Sequence, residues 1–361
     1  METTSRSRLQ RHLNAFAAIR KGCQHYGVPL WQAVPAALWL YGAKQFSLKE
    51  IVGYGLYVPS LRAQKPVLIS KQGSLAKLKV LNPPGSAWRT SDKIGFYKHC
   101  IESGLPVPKL VAVFSHGKFQ NSSFATFEAR QDARDWLDEE LPTDFVVKEA
   151  RGAYASGFEV FSRSREAISQ EGGSTFDMDG FIDHVCANPS RGRVIQERLF
   201  DHPRLRALSG LRGLQTMRVN TLLSESGVVE VLYYFVKLVR QGHLTDNFAM
   251  GASGNMIAFG DRDTGILKGA ARLHPCGSGL DVIETHPETG NTIKGFEVPL
   301  WKETIELAKA AHLAFPEVKS LAWDIAITED GPRLLEANAS WDPPPYFPDI
   351  MTAESWRRIF A

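Results

Sequence analysis

The fold of this chain is decided by the stretch Leu321-Ala-Trp-Asp-Ile-Ala-Ile-Thr-Glu-Asp-Gly-Pro-Arg-Leu-Leu-Glu-Ala-Asn-Ala-Ser340. Two short apolar runs, 321–328 and 333–338, lie on either side of the four residues 329–332, which include Gly and Pro. Apolar runs that flank such a loop are typical of a β-hairpin. The stretch therefore predicts two paired strands in which the numbers of facing residues sum to about 660.

Three polar side chains interrupt the apolar strands of this predicted hairpin. The pairing places Asp324 across from Glu336, and Asn338 shares the face of Glu336 because side chains alternate along a strand. Converging carboxylates repel each other unless a positive charge lies between them. Oxygen ligands suit Mg²⁺, which completes its coordination with water and substrate phosphates. A solvent-facing polar stripe on an ordinary hairpin fits the same spacing, so the residues alone leave both interpretations open.

Composition sets the broad class of the protein. With 361 residues, 43% of them hydrophobic and 22% charged, the chain is globular and long enough for one multi-lobed core or two to three domains. A net charge of +3 is too small to argue for nucleic-acid binding or for membrane binding. The cysteines lie far apart and form no CxxC pair, which argues against a zinc site or a disulfide framework; they are Cys23, Cys100, Cys186 and Cys276.

The N-terminal residues 1–85 are predicted to be mainly helical. Apolar residues recur at helical spacing between Arg8 and Lys21, and Ser47 with Glu50 fits a capping box. The apolar run Val34 to Ala43 is about ten residues, too short to span a bilayer, and is expected to form a buried or interfacial helix. Because no signal peptide or transmembrane segment is visible, we expect a cytoplasmic protein.

The hairpin resembles the metal-binding end of the ATP-grasp ligases, since its aspartate is followed twelve residues later by Glu-Ala-Asn. The longer run WDIAITEDGPRLLEANASWDP, residues 323–343, resembles the sugar-transfer-associated, teichuronopeptide-type branch more narrowly. The resemblance implies an α/β (α+β) fold in which two lobes clamp ATP. It also implies that Asp324, Glu336 and Asn338 bind two Mg²⁺ ions, for which Mn²⁺ can substitute.

Two lysines match the phosphate-binding residues of this superfamily. Lys93 opens a predicted helix that Gly104 ends, an arrangement that resembles the start of an ATP-grasp domain and implies a contact with the α-phosphate. Lys148 ends a predicted strand, and a loop with Gly152 and Gly157 follows it. Such a lysine offers a point charge to phosphate oxygens, and glycines let backbone N–H groups approach them. Taken alone, Lys93 would be interpreted as an ordinary surface lysine.

This loop departs from the superfamily pattern at Glu149, where a proline is usual, and it contains only two glycines. The next strand, residues 193–199, resembles the hinge between the lobes. That resemblance implies that backbone groups near Gln196, Glu197 and Leu199 bind the adenine edge.

A catalytic cation is expected on the strand 214–223, where Arg218 and Asn220 share one face. Many D-Ala-D-Ala-ligase-like sites carry an arginine two residues before the first metal aspartate, but Ala322 holds that position here. The resemblance therefore assigns the contact with the transferring phosphoryl group to Arg218. Together with Lys148 and Asn220, it completes the predicted catalytic set.

The acceptor site is predicted from three loops that resemble the same branch, Thr245–Gly251, Gly260–Gly265 and Thr285–Gly290. Within them, Asp246, Asn247 and His286 are candidates for the acceptor pocket. Ordinary loop-capping contacts explain these side chains equally well.

The predicted organisation has four parts. These are a mainly helical segment 1–85, a first ATP-grasp lobe 86–195 with the phosphate lysines, a second lobe 196–342 with the metal and acceptor sites, and a tail 343–361. The implied function is an ATP-dependent, ADP-forming ligase that activates a carboxylate as an acyl phosphate and joins it to an amine. The small-molecule substrates would be, for example, an amino acid and an amino sugar or peptide.

Three alternative functions remain open from the sequence. They are an ATP-grasp phosphotransferase acting on a small molecule, a non-catalytic ATP-binding partner of a sugar-transfer complex, and a glycosyltransferase. The two lysines and the predicted metal ligands favour ATP over a nucleotide sugar. The oligomeric state, the acid and the amine are not determined by the sequence.

Overall fold

The structure, a computed structural model, describes residues 2–65, 67–83, 85–152, 157–165, 167–210, 213–240, 242–343, 350 and 352–360. Within these residues the chain forms eleven α-helices and fourteen β-strands. The helices are α1 Glu2–Tyr26, α2 Leu30–Gly42, α3 Leu48–Gly53, α4 Pro59–Ala63, α5 Lys71–Leu81, α6 Lys93–Glu102, α7 Arg130–Glu140, α8 Met178–Cys186, α9 Pro203–Ser209, α10 Trp301–Leu313 and α11 Ala353–Phe360. The strands are β1 Leu110–Ser115, β2 Lys118–Asn121, β3 Asp144–Glu149, β4 Glu159–Arg163, β5 Ile168–Gln170, β6 Thr175–Phe176, β7 Arg193–Glu197, β8 Thr216–Leu223, β9 Val229–Leu238, β10 Met256–Gly260, β11 Leu267–Leu273, β12 Leu280–Ile283, β13 Ser320–Thr328 and β14 Gly331–Asn338.

The strands form two antiparallel sheets of seven strands each. The first has the order β2-β1-β7-β3-β4-β5-β6, and the second has the order β12-β11-β10-β9-β8-β13-β14. All strands of the first sheet precede those of the second in the sequence, as two consecutive lobes require. The expected lobe boundary between residues 195 and 196 falls inside β7, which belongs to the first sheet.

The predicted hairpin is β13 with β14, and its register is the predicted one. Asp324 faces Glu336 and Ala322 faces Asn338. The predicted four-residue loop is wrong, because pairing continues to Thr328 and Gly331 and leaves only residues 329–330 in the turn. The proline at 332 fits inside β14 because that strand lies at the sheet edge, where a missing backbone N–H costs little.

The two faces of the second sheet bury different partners. Trp323 and Val219 lie in a cluster with α10 and α6. Tyr233 and Ala322, on the opposite face, pack with the N-terminal helices and with α11. Because Asp324 alternates with Trp323 along β13, it lies on the face that the N-terminal helices partly cover.

The predicted helical N-terminal segment is present as α1 to α5. The capping box at Ser47 forms as predicted, with the backbone N–H of Glu50 donating to the Ser47 hydroxyl. The apolar run at 34–43 lies within and just beyond α2. In the part of the chain that the structure describes, no helix has both the length and the apolar character needed to cross a bilayer.

The expected tail ends in a helix that the sequence reasoning missed. In α11, Trp356 and Phe360 are buried against the same cluster as Trp341. Residues 344–349 of this tail lie outside the described residues.

Candidate functional site

Three charged side chains form a row across neighbouring strands of the second sheet. The register places Arg218 of β8 beside Asp324 of β13, which in turn lies beside Glu336 of β14. Arg218 donates two hydrogen bonds to Asp324, from Nε to Oδ1 at 2.5 Å and from an Nη to Oδ2 at 2.7 Å. Such a bidentate pair fixes the orientation of the carboxylate as well as its charge.

The charge state of Asp324 follows from its neighbours. Burial alone would raise the pKa of Asp324, which is only 5% exposed. The cations of Arg218 and Lys237 outweigh this effect and hold the pKa of Asp324 well below its usual range. The Asp324 carboxylate is therefore ionised at neutral pH.

Lys237 is a member of this site that the sequence reasoning did not select. Its Nζ lies 3.0 Å from Oδ1 of Asp324 and 3.1 Å from Oδ2 of Asp246. The hydroxyl of Thr216 also donates to Asp246. Lys237 thus connects the predicted metal ligand to a predicted acceptor residue. The available sequence signal was a buried-type strand, Val229–Leu238, that carries one lysine near its end.

Glu336 and Asn338 complete the row on the edge strand. The amide Nδ2 of Asn338 donates to Oε1 of Glu336 at 3.1 Å. Lys93 Nζ lies 3.6 Å from Oε2 of Glu336, so the start of α6 meets the hairpin here. The expected repulsion between Asp324 and Glu336 is therefore offset in the protein itself, by three cations rather than by a metal alone.

The donor chemistry of the row fits Mg²⁺. Asp324, Glu336 and Asn338 offer only oxygen ligands, and the Asn338 oxygen is available because its amide nitrogen faces Glu336. In the described residues, no group of three or more His, Cys, Asp and Glu side chains is arranged for a metal. The predicted magnesium ligands are two carboxylates, Asp324 and Glu336, and the amide of Asn338. A set with only two carboxylates does not meet the criterion of three, so this result does not test it.

The two predicted phosphate lysines lie close to each other. Lys93 is the first residue of α6, and its Nζ donates to the carbonyl of Gly152 at 3.2 Å. The pKa of Lys148 is lowered to about 8, first because burial disfavours its charged form and then because Lys93 repels it. Glu336 and Asp246 act on Lys148 in the opposite direction but do not restore its ordinary pKa. An anion bound between the lysines would relieve this unfavourable arrangement.

The departure at Glu149 has a structural explanation. Glu149 is buried, and its Oε2 accepts a hydrogen bond from Arg191 at 2.7 Å. Gly157 packs directly on it: φ is +65°, and a Cβ added there would lie 2.4 Å from Cγ of Glu149. Glycine is therefore required at 157. Residues 153–156, between Gly152 and Gly157, lie outside the described residues.

A cleft lies beside Lys148. Strands of both sheets contribute to it. It is lined by Val146, Lys148, Phe158, Val160, Gln196, Arg198, Leu199, Gly213, Leu214, Leu244 and Leu335. Its mostly apolar walls suit a flat aromatic base.

The three predicted hinge residues have different surroundings. Leu199 lines the cleft. Gln196 also lines it, and its Oε1 accepts a hydrogen bond from Tyr97 at 2.8 Å. Glu197 instead bonds Lys109, with its backbone N–H donating to the Lys109 carbonyl and its carboxylate accepting from the Lys109 N–H. The amide of Glu197 is thus already used in joining the chain to Lys109.

The remaining predicted residues are placed less uniformly. Asn220 is fully buried on β8, two residues beyond Arg218, and it pairs with Ala322 of β13. Asn247 accepts a hydrogen bond from the backbone of Ala249, which is a local turn contact. His286 is fully buried in its own turn, and burial lowers its pKa. The structure therefore brings Asp246 to the charged row, whereas the contacts of Asn247 and His286 are those of loop residues.

Similar proteins were found at the level of family and fold. The family described as sugar-transfer associated ATP-grasp matches residues 77–357. No curated protein matches the chain.

Three similar solved structures are ligases or synthetases. D-alanyl-alanine synthetase A from Vibrio cholerae is 10% identical, with 77% of this chain and 66% of that chain covered and a TM-score of 0.42. N5-carboxyaminoimidazole ribonucleotide synthetase from Thermotoga maritima is 12% identical, with 75% of this chain and 48% of that chain covered and a TM-score of 0.37. L-amino acid ligase from Bacillus licheniformis is 14% identical, with 72% of this chain and 44% of that chain covered and a TM-score of 0.37. The chain thus spans less than two thirds of the length of each.

Proposed function

Because the chain belongs to the sugar-transfer-associated ATP-grasp family, we propose that it is an ATP-dependent ligase that joins a carboxylate to an amine. The family and the α+β ATP-grasp fold are those predicted from the sequence. The proposed reaction forms an acyl phosphate, and then an amide, with release of ADP and phosphate. Its setting would be the cytoplasmic biosynthesis of a modified sugar, a cell-surface polymer or a peptide-like metabolite.

One observation carries the proposal: the lysine pair and the charged row meet. Lys93 lies 3.6 Å from Glu336, so the predicted phosphate and metal residues share one space. The apolar cleft reaches this space through Lys148, which is one of its lining residues. A nucleotide with its base in the cleft would thereby direct its phosphates toward both lysines and the row.

The chain's own residues then have distinct roles. Lys93 and Lys148 bind phosphate oxygens, and Arg218 with Lys237 holds Asp324 ionised and oriented. Asp324, Glu336 and Asn338 would hold Mg²⁺, which supplies charge neutralisation at the phosphates when bound. Catalysis by such a site is positioning and electrostatic stabilisation, and it requires no protein nucleophile.

The proposed chemistry has two displacements. A carboxylate oxygen of the substrate attacks the γ-phosphorus, the bond to the bridging oxygen breaks, and ADP leaves. The neutral amine then attacks the acyl carbon, phosphate leaves with its bonding electrons, and the amine loses one proton. The proposed role of Asp246, which Lys237 holds next to the row, is to bind the incoming amine as an ammonium ion and to accept one of its protons, so that the amine attacks in its neutral form.

The test is product analysis of the purified protein with ATP, Mg²⁺ and a panel of acids paired with amines. We expect ADP and phosphate, and a hydroxamate when hydroxylamine replaces the amine. AMP and pyrophosphate would identify an adenylating enzyme instead. ADP with a phosphorylated product that hydroxylamine leaves intact would identify a phosphotransferase, and binding of ATP without turnover of any pair would favour a non-catalytic partner.

A further inference from the structure

Helix α2 carries no charge and exposes large apolar side chains, although it lies at the surface. Residues Leu30–Gly42 contain no charged side chain. Ala33, Ala37 and Leu40 are buried against the body of the protein. On the other side, Trp31 is 73% exposed, Leu38 65% and Trp39 45%. A helix with apolar side chains on its outer face is normally buried by protein or membrane. The exposed apolar face of α2 therefore indicates an interaction site.

The preceding helix extends this apolar surface. Leu9, Leu13 and Phe16 of α1 are 63%, 54% and 49% exposed, and their spacing places them in one stripe. The two helices are in contact, with the rings of His12 and Tyr41 6.1 Å apart. We call the exposed apolar side chains of both helices the N-terminal patch; it consists of Leu9, Leu13, Phe16, Trp31, Leu38 and Trp39.

Positive charge is concentrated in the same part of the chain. Residues 1–49 contain seven Lys and Arg but one Asp or Glu, a net charge of +6. The whole chain has a net charge of only +3, so residues 50–361 are net negative at −3. Arg20, Lys21 and Lys44 are exposed, and the Lys44 ammonium lies 5.5 Å from the ring centre of Trp39.

We propose that the N-terminal patch binds the surface of an anionic lipid bilayer. Apolar side chains including tryptophans, bordered by cations, are the features of helices that lie in the membrane interface. The cations are complementary to anionic headgroups. A second copy of the chain is disfavoured as the partner, because pairing two such patches would bring like charges together. This proposal does not depend on the proposed ligase activity.

The test measures co-sedimentation of the full-length protein with vesicles of phosphatidylcholine alone or with one quarter phosphatidylglycerol. We expect binding to the anionic vesicles that weakens at least tenfold in high salt. The double variant Trp31→Glu/Leu38→Glu should bind at least tenfold more weakly. Trp88→Glu is the matched control, because Trp88 is 61% exposed but lies outside the patch, and it should bind as the wild type does.

A second variant guards against misfolding of the first. Arg20→Glu/Lys44→Glu leaves every apolar side chain of the patch in place and should also lose at least tenfold in binding. Unchanged thermal melting and ATP binding show that a variant is folded. Failure of the wild type to bind anionic vesicles, or full binding by the charge-reversed variant, would overturn the proposal. A dimer in analytical ultracentrifugation that Trp31→Glu/Leu38→Glu dissociates would instead make the patch an interface between copies.

Discussion

The two charged regions that meet at the candidate site are balanced in different ways. Around Lys148, folding partly buries a cation near another cation, and the pKa of Lys148 falls to about 8. In the row on the second sheet, Arg218 and Lys237 surround Asp324 and lower its pKa. The first region therefore holds a charge that a bound anion would stabilise. The second region is already neutralised and oriented before any ligand binds.

This contrast predicts opposite effects of charge removal. Deleting a cation of the second region leaves the buried Asp324 without one of its two partners, which destabilises the fold. Deleting the partly buried Lys148 of the first region removes an unfavourable charge from the free protein and weakens only ligand binding. The predictions that follow test this contrast, and each can contradict it.

Arg218→Met should have the largest effect. The buried Asp324 loses its bidentate partner, so we expect the free energy of unfolding to fall by about 3 kcal/mol, as for other broken buried pairs. Turnover should fall on the order of a hundredfold to a thousandfold. Urea denaturation of the apo protein measures the stability. The control is Arg218→Met/Asp324→Asn, which should recover most of it because no carboxylate is stranded; equal losses in both variants would argue against the pair.

Lys148→Ala should weaken nucleotide binding without weakening the fold. Charge-assisted contacts contribute about 1.5–3 kcal/mol, so ATP affinity should fall on the order of tenfold to a hundredfold. The stability of the apo protein should be unchanged or slightly higher, because a partly buried charge is removed. Calorimetry and urea denaturation give the two values. Unchanged ATP affinity would make Lys148 a structural residue.

The pH dependence of ATP binding should follow the lowered pKa of Lys148. With a pKa of about 8, the charged fraction of Lys148 falls from about 90% at pH 7 to about 10% at pH 9. Phosphate stays ionised over this range, so ATP affinity should decline up to about tenfold as the pH rises. Lys148→Arg keeps its charge and should show a shallower decline. The same steep decline in both proteins would assign it to another group.

Glu336→Gln should change the stability of the fold only slightly. Glu336 is half-buried, and its pairing with Lys93 at 3.6 Å is loose, so its loss should change the free energy of unfolding by less than about 1 kcal/mol. Turnover should nevertheless nearly disappear if Glu336 is a metal ligand. Thermal melting and ADP release measure these effects. A markedly lower melting temperature with near-normal turnover would make the hairpin an ordinary salt-bridged turn.

The hairpin was predictable because its signals are local. Alternating side chains and the Gly-Pro turn sufficed to pair Asp324 with Glu336, and the order of motifs sufficed for the ATP-grasp family and fold. The predicted turn was two residues too long because Pro332 was assigned to the turn. In the structure Pro332 lies within β14, and an edge strand tolerates a proline. The position of β14 at the edge of the sheet depends on how the other strands pair, which the sequence of the hairpin does not specify.

The rest of the site depends on pairing between distant segments. Lys237 reaches Asp324 only because β9 lies beside β8 and β8 beside β13, a relation between residues 87 positions apart. The packing of Gly157 on Glu149 and the burial of His286 likewise arise from tertiary contacts. The assignment of the individual site residues therefore remains a prediction that experiment must test.

The central claim is that the row on the second sheet binds Mg²⁺ together with the phosphates of ATP. Titration calorimetry of ATP, with and without Mg²⁺, tests it most directly in the wild type and in Glu336→Gln, and it requires no knowledge of the substrates. We predict that Mg²⁺ increases the ATP affinity of the wild type at least tenfold and that Glu336→Gln loses this gain while its Mg²⁺-free affinity is not reduced. A full Mg²⁺-dependent gain in Glu336→Gln would contradict the account.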